Sequence, residues 1–599
     1  MKLLRFEFDC SKQVPWYGYL CNQYLNYQKL NLTVGLLAIR HQANEHLEQQ
    51  KKPVVTWRYL LEAEGEQAEL ECLAEQVAAD FLLSVHLLDS RMLLATDRQG
   101  DKKPIEVSAA NVPFCQHCQP RFGDNQHGEF ANLVVACDHC HGEQAILTLD
   151  TVAALQRQDL QQLAVRLLEG ETLFLDDVSG KLVLSRQPIG QGRQQMLVCN
   201  PNNLNSLFQV TDNEVLALSS IEKPLLRLQP VTDSKLAAPL YEVGFAASRL
   251  QLVLAEYLRV KGIDAIYCHR EHQQAVFAHT LGIDVPVAVS TVQLDNLLLG
   301  QALPETLHES ARFGAYVAKA TGKRKQQQLV ASLANDDADV WDSTDATSAA
   351  QCALLGIAAE VGSASNLGML YFSDRYVSQL MTSNDDGDIK CFMQVPELPA
   401  TGADIISQLQ SSPQQDVFAK FTEQYPALYQ RLQKLDLSGC SKQSLKSLWI
   451  VAAVIIGIEA DSNEQLADAF VAAAMSNTSA NSPRIDYPLI SGEYATFDWC
   501  KTFGTLISFR LAGDDDAAKL AFAMNDSLAD FIANWIERLD LNTGIRRVYL
   551  AGSSFANPVL GRRIALRLGK NFPLGVSQMQ DLDGALLATG ALYLRQRRR

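Results

Sequence analysis

Four cysteines at fixed spacing constrain this chain more than any other feature. Cys115-Gln-His-Cys118 is followed by eighteen residues and then by Cys137-Asp-His-Cys140. Two CxxC knuckles at this separation predict four thiolates placed tetrahedrally around one zinc ion. Four thiolates fill the coordination shell and leave no position for water, so the expected site is structural, not catalytic. His117, His127, His139 and His141 crowd the same region, and one could replace a cysteine, but four cysteines are the simpler set. A redox pair, or a remnant that has lost its metal, are the other readings of these residues.

The remaining cysteines, Cys10, Cys21, Cys72, Cys199, Cys268, Cys352, Cys391, Cys440 and Cys500, are scattered singly. The first residues carry charges where a secretory signal needs an apolar core. Reduced, buried thiols in a cytoplasmic protein are therefore expected. The longest apolar run, Leu448 to Ile458, is too short to span about 30 Å of hydrocarbon and predicts a buried helix rather than a membrane span. The net charge is −16, so nothing global concentrates phosphate and nucleic acid is not an expected partner. Arg595 to Arg599 form a basic cluster and read as a solvated end. Glu129, Asp138 and Glu143 beside the knuckles also argue against a nucleic-acid-binding ribbon.

At 599 residues the chain predicts about four domains. Residues 1–95 read as strand Leu3 to Cys10, helix Trp16 to Leu30 and strands Leu32 to Arg40 and Val54 to Ala63. Helix Glu66 to Leu83 and strand Val85 to Leu94 follow. This βαββαβ order describes a small ferredoxin-like α/β sandwich. Residues 96–110 read as a linker and 111–146 as the zinc module. Residues 150–230 hold a helix, Thr151 to Gly170, and short strands at 172–175, 182–184 and 195–198. The stretch 235–599 alternates helices with short apolar strands such as Ala265 to Cys268, Val285 to Val289 and Arg547 to Leu550. That alternation predicts helices flanking a largely parallel sheet.

This order of modules resembles the HypF family of hydrogenase maturation carbamoyltransferases. Cys115, Cys118, Cys137 and Cys140 stand at the family's spacing. The family usually has a second pair of knuckles, and this chain has one. Met196 to Val210, leading to Ser219-Ser-Ile-Glu-Lys-Pro224, looks like the middle of a YrdC-like domain. Thr543 to Asn557 is similar to the family's strand–SGGVFQN–helix turn, and Asp581 to Gly590 to its closing NDGGIALGQ. The resemblance implies an α/β multidomain protein. It would have an acylphosphatase-like domain at 1–95, a zinc module at 111–146, a shortened YrdC-like region at 150–230 and a carbamoyl-transfer domain of the actin-like ATPase type at 235–599.

By resemblance, Gly552, Ser553, Ser554, Asn557, Asp583 and Gly584 are the candidate nucleotide contacts. The residues alone support a plainer alternative at each. A strand ending in Ala-Gly-Ser-Ser and feeding a helix aims N–H groups at whatever lies above the turn, but it is also an ordinary connection with a Ser cap. An Asp before Gly is often a turn residue.

Several family motifs are altered. Ser11 to Tyr19 replaces a phosphate loop of the type VQGVGFR. It has no Arg, Pro15 removes an N–H donor, and Lys12 is the nearest cation. In Gly190 to Gln195, before Met196, where a Lys/Arg-rich segment is expected, Arg193 is the single cation. Ser290 to Leu297 has no histidine where the family places a metal-binding cluster; His269, His272 and His279 lie upstream. The glycine-rich loop DGTGYGDDG has no counterpart. Ile450 stands where an Asp is expected, and Met524 or Asn525 where a His is expected. No catalytic residue is assigned.

The family converts carbamoyl phosphate and ATP into a carbamoyl adenylate and passes the carbamoyl group to the C-terminal cysteine of HypE. A HypF-type enzyme, with HypE or other hydrogenase maturation proteins as partners, is one expectation. The other is a catalytically degenerate relative acting as a zinc-stabilised binding or regulatory module.

Overall fold

A computed structural model of the chain describes residues 2–11, 13–26, 30–41, 54–106, 112–140, 150–177, 180–190, 192–270, 273–280, 283–290, 310–321, 328–333, 341–345, 347–361, 363–479, 481–577 and 583–597. Lys12, His141, Glu143, His272 and residues 291–297, named above, lie outside them. The chain divides into two compact units. The first comprises Met1–Leu236, Tyr241–Gln273 and Phe277–Gln293, and the second the remainder.

The first unit begins with β1 (Lys2–Cys10), α1 (Pro15–Leu25), β2 (Asn31–His41), β3 (Val54–Gly65), α2 (Gln67–Asp80) and β4 (Leu87–Ala95), the expected βαββαβ order. The strands form one antiparallel sheet in the order β2-β3-β1-β4. Leu4, Phe6, Phe8 and Cys10 alternate along β1 and are buried, as a half-covered strand requires. Helix α1 opens on Pro15, whose fixed φ suits a first helical position. Helix α2 opens on a capping box between Glu66 and Glu69, and buries Leu70, Leu73 and Val77. Both helices are shorter than expected at their C-terminal ends.

The opposite face of β1 carries charges. Glu62 is fully buried and accepts from Arg5 Nε at 2.7 Å, Thr33 Oγ1 at 2.9 Å and the Gly100 N–H at 2.8 Å. Burial alone pushes this carboxyl up, but the N–H groups of Gly100 and Gln99, with Arg5 and Thr33, outweigh it and hold it below the usual range. The expected linker is thus anchored at its start: Asp101 also bridges to Val34.

A second, seven-stranded sheet follows. Strands β5 (Leu173–Asp177), β6 (Gly180–Ser185), β7 (Gln195–Val198), β8 (Phe208–Gln209), β9 (Leu226–Pro230), β10 (Tyr241–Gly244) and β11 (Ala265–Arg270) lie in the order β5-β6-β11-β7-β10-β9-β8. The expected boundary at 230–235 therefore falls inside one sheet. Strands β10 and β11 come from beyond it, and both are interior strands, so the sheet is not confined to 150–230. Reading strand by strand along the chain hides this, because the pairings that close the sheet are long-range. The helix expected at 151–170 is two helices, Asp150–Ala153 and Arg157–Leu168. Strands β12 (Gln273–Thr280) and β13 (Ile283–Ser290) form a separate pair.

In the second unit, β14 (Ser310–Phe313), β15 (Tyr316–Thr321), β16 (Gln328–Leu333) and β17 (Trp341–Asp342) make one sheet. Strands β18 (Leu367–Tyr371), β19 (Gln379–Ser383), β20 (Ile389–Gln394), β23 (Arg547–Ala551) and β24 (Leu574–Gly575) make another, in the order β20-β19-β18-β23-β24; β21 (Leu489–Ile490) and β22 (Thr496–Phe497) form a short hairpin pair. The larger sheet is mixed rather than largely parallel: β18 and β24 run parallel to β23, whereas β19 and β20 are antiparallel. Helices Ala349–Val361 and Ala585–Arg597 share its core with Met369, Tyr371 and Tyr549. Gly590 permits their close approach, since a Cβ there would lie 1.7 Å from the Cys352 carbonyl oxygen. The apolar run forms helix Leu445–Ile455, in which Ile450 is fully buried. No helix among the described residues is long and apolar enough to cross a membrane.

Candidate functional site

The structure brings two sets of the expected residues together, one in each unit. In the first unit the four knuckle cysteines converge. The Cys115 and Cys118 sulfurs are 4.0 Å apart, Cys115 and Cys137 3.7 Å, and Cys118 and Cys140 3.8 Å. A tetrahedral ion with bonds of about 2.3 Å requires sulfur–sulfur edges of about 3.8 Å. The donor set therefore fits zinc in number, chemistry and size. All four are buried, packed with Phe114, Phe122, Phe130, Leu133 and Val135. The Cys115 N–H points at Cys118 Sγ at 3.3 Å, the knuckle geometry that favours a thiolate. Hydrogen bonds from Cys115 and Cys140 hold the Cys118 thiol well below its ordinary range.

Sequence reasoning missed the residue that fastens this module. Arg249 opens helix Arg249–Val260 and is 2% exposed. Its Nε donates to the Pro113 carbonyl at 2.8 Å, and its Nη1 to the Leu133 and Val135 carbonyls at 3.0 and 2.8 Å. Nη2 lies 3.9 Å from Cys118 Sγ, and the guanidinium sits 4.7 Å over the Phe122 ring. A buried cation beside four thiolates offsets the excess negative charge of a zinc–thiolate centre. No local pattern around Arg249 announces this, because its partners are more than a hundred residues away.

In the second unit the candidate residues meet at the carboxyl ends of β18 and β23, neighbouring parallel strands. Ligands of α/β proteins bind at such strand ends. Asp583 is the centre. It accepts from the Tyr371 hydroxyl, from Ser373 Oγ at 2.8 Å and from the Ser553 N–H at 3.2 Å. Burial raises its carboxyl above the usual range, and these hydrogen bonds offset part of that rise. Ser554 Oγ donates to Asp374 Oδ1 at 2.7 Å, and the Asp374 N–H donates to Ser553 Oγ at 3.0 Å. Gly552 has φ 103°, and a Cβ there would lie 2.0 Å from the Phe372 carbonyl oxygen. Only glycine fits that crossing of the two loops.

Some roles differ from expectation. The N–H groups of the Ser553–Ser554 turn are not aimed outward, because Ser553 donates to Asp583 and Ser554 to the Phe372 carbonyl at 3.0 Å. Asn557 caps helix Pro558–Leu568 through Oδ1, while its Nδ2 donates to the fully buried Asn525 at 2.9 Å. Gly584 supplies the carbonyl that starts helix Ala585–Arg597. In the neighbouring segment Ser373-Asp374-Arg375, Ser373 is fully buried, Asp374 is half-buried and Arg375 is exposed. The segment carries no glycine signature, and the sequence reading passed over it. Two carboxylates and three serine hydroxyls thus cluster at these strand ends, bonded to one another, beside the exposed Arg375 guanidinium, residue types suited to a cation-bound phosphate ester.

The altered phosphate loop is filled. Val14, Trp16 and Tyr17 are buried, and the Val14 N–H donates to the Tyr59 hydroxyl at 2.8 Å. Arg193 is paired with Glu242 at 3.3 Å. In the Ser219–Pro224 segment, Glu222 is an internal acceptor for Ser84 Oγ at 2.6 Å and the Val85 N–H at 3.0 Å. His269 is an exposed residue of β11.

No protein-family model matches the chain. It is 29% identical over 192 residues to Protein HydE of Wolinella succinogenes, a match that covers 31% of this chain and 35% of that protein. The chain thus spans about a third of the curated relative it matches. A full-length HypF solved in the phosphate- and nucleotide-bound form superposes with a TM-score of 0.55 at 12% identity, over 100% of this chain and 98% of that one. HypF of T. kodakarensis superposes with a TM-score of 0.61 at 10% identity, over 100% and 99%. The chain has the HypF fold from end to end.

Proposed function

We propose that this chain is a HypF-type protein of nickel–iron hydrogenase maturation, related to the carbamoyltransferases of that pathway. The observation that carries the reading is the HypF fold over the whole chain, at a TM-score of 0.61. The four-cysteine cluster, of a size that suits zinc, supports it. Cys115, Cys118, Cys137 and Cys140 hold structural zinc. Residues 1–95 are the acylphosphatase-like domain and 111–146 the zinc module. The YrdC-like region extends past 230 to take in β10 and β11, and the actin-like domain follows it.

ATP binds at the strand-end cluster around Asp583. Asp374 and Asp583 face the cation that accompanies the phosphates, Arg375 faces the phosphates, and Ser553 and Ser554 orient the two carboxylates. Gly552, Asn557 and Gly584 act by shaping the turn. The reading extends to a HypE-like partner as the carbamoyl acceptor.

Two observations favour a second reading, a relative that binds and regulates without completing the reaction. Its first phosphate loop is filled by Val14 and Tyr59, and Arg193 is engaged by Glu242. Transfer of an acyl phosphate needs preorganised cations and N–H donors, and losing one such group costs about 10²–10³ in rate. Purified full-length protein incubated with ATP and carbamoyl phosphate separates the two. Carbamoyl-phosphate-dependent formation of AMP identifies the transferase; ATP that stays intact, with binding retained, identifies the degenerate module.

A further inference from the structure

The ferredoxin-like sheet of the first unit ends differently at its two edges. At one edge the Val34 N–H of β2 donates to the Asp101 carbonyl at 2.9 Å and the Asp101 N–H to the Val34 carbonyl at 2.7 Å, so the chain itself covers that strand. The other edge is β4, beyond which no strand of this sheet lies among the described residues. Asp89, Ser90, Arg91 and Met92 are four successive exposed residues of it, whereas a half-covered strand buries alternate ones. Met92 stands opposite Phe6, and Leu94 opposite Leu4. Phe6 and Leu4 are buried, but Met92 is 58% and Leu94 65% exposed. An open apolar edge of this length is a template for a further strand.

The charges on the other face select that strand. Asp89 lies across the ladder from Asp9, a like-charged pair that costs stability. Arg58 is held by Asp9 at 2.5 Å and Glu7 at 3.2 Å. Arg91 is held by Glu7 at 2.6 Å, with 45% of its side chain still exposed. We propose that β4 is a homodimer surface, pairing antiparallel with β4 of a second copy about a two-fold axis at Ser90. In that register Asp89 stands opposite Arg91 of the second copy, and Arg91 opposite its Asp89, so each Asp89 gains a cation across the ladder. Met92 comes beside Leu88 of the second copy. The bulge that shifts the register between Asp9 and Cys10 lies at the end of this stretch. The neighbouring registers that keep the faces matched are worse. An axis at Arg91 sets two guanidinium groups against each other, and one at Met92 leaves Arg91 opposite Leu93 and Asp89 opposite Ala95.

Sedimentation velocity of the purified full-length protein, over about two decades of concentration, tests this. Wild type is expected to reach twice the mass of one chain at the upper end. Asp89→Arg and Arg91→Asp each oppose like charges across the axis, and each is expected to weaken the dimer about tenfold or more. An equimolar mixture of the two variants is expected to dimerise again, because every charge in the mixed pair then faces its opposite. Met92→Lys, at an exposed edge position, is expected to abolish pairing while the urea midpoint of the first unit stays unchanged, and it serves where Arg91→Asp does not fold. Wild type that stays monomeric, the result if a strand of another protein covers this edge, overturns the proposal. So does a dimer that Asp89→Arg and Met92→Lys leave intact, or a mixture of folded charge variants that does not recombine.

Discussion

A Cys137→Ser protein is expected to purify with little or no zinc and with the cooperative unfolding of its first unit lost or shifted by several kcal/mol. Serine cannot replace a thiolate at the metal, so three ligands remain at positions spaced for four. Binding energy at structural zinc is folding energy, about 10–16 kcal/mol in small zinc peptides near neutral pH. The cysteines here are also core residues, packed among Phe114, Phe122, Phe130 and Leu133. Losing the ion leaves buried thiols and the buried Arg249 guanidinium facing each other without the charge that balances them. Arg249→Met is the milder companion. It removes the donors to three carbonyls while leaving the ligands, and breaking such a buried charged set costs about 3–5 kcal/mol. Zinc content and the urea midpoint of the first unit check both. A Cys137→Ser protein with near-stoichiometric zinc and an unchanged midpoint contradicts the structural role.

The second large effect is expected at Asp583. Asp583→Ala removes the acceptor for Tyr371, Ser373 and the Ser553 N–H at once. An unsatisfied buried donor costs about 1–3 kcal/mol. The hydroxyls can turn to other partners but the N–H cannot, so a loss of about 3 kcal/mol in the second unit follows. Asp583→Asn is expected to cost less, because the amide oxygen can still accept from Ser553 and the Tyr371 hydroxyl can accept from the amide nitrogen. The raised carboxyl pKa fixes the sign of the pH effect. The protonated form is the one folding favours, so this residue's contribution is present below the ordinary carboxyl pKa. It is lost as pH rises through the folded value. Denaturant midpoints of the two variants across pH measure this, and equal costs for Ala and Asn would contradict the hydrogen-bond account.

Much of the first unit is legible in sequence because its signals are local. Alternation along β1, the apolar spacing of α2 and the CxxC pairs each sit within a dozen residues. What escapes is what long-range pairing decides. The seven-stranded sheet takes β10 and β11 from past the expected boundary, and no local composition marks that continuation. Arg249 looks like an ordinary helix-start cation until the fold carries it beside Cys118. Ser373-Asp374-Arg375 has no glycine signature, yet it forms half of the cluster because β18 lies next to β23. Conversely, the turn at Gly552 is where expected, but its N–H groups serve the protein itself. The buried helix expected from the apolar run is legible too, because its signal is local, and Ile450 within it is fully buried.

The central proposal is that the strand-end cluster around Asp583 in the second unit is a nucleotide site. Calorimetric titration of the full-length protein with ATP and magnesium tests it most directly, comparing wild type with Arg375→Ala. Arg375 is exposed, so its removal leaves the fold intact. The account predicts saturable binding at about one nucleotide per chain, weakened about tenfold or more in the variant by loss of a charge-assisted contact. No heat of binding with wild type, or equal affinity in the two proteins, would contradict it.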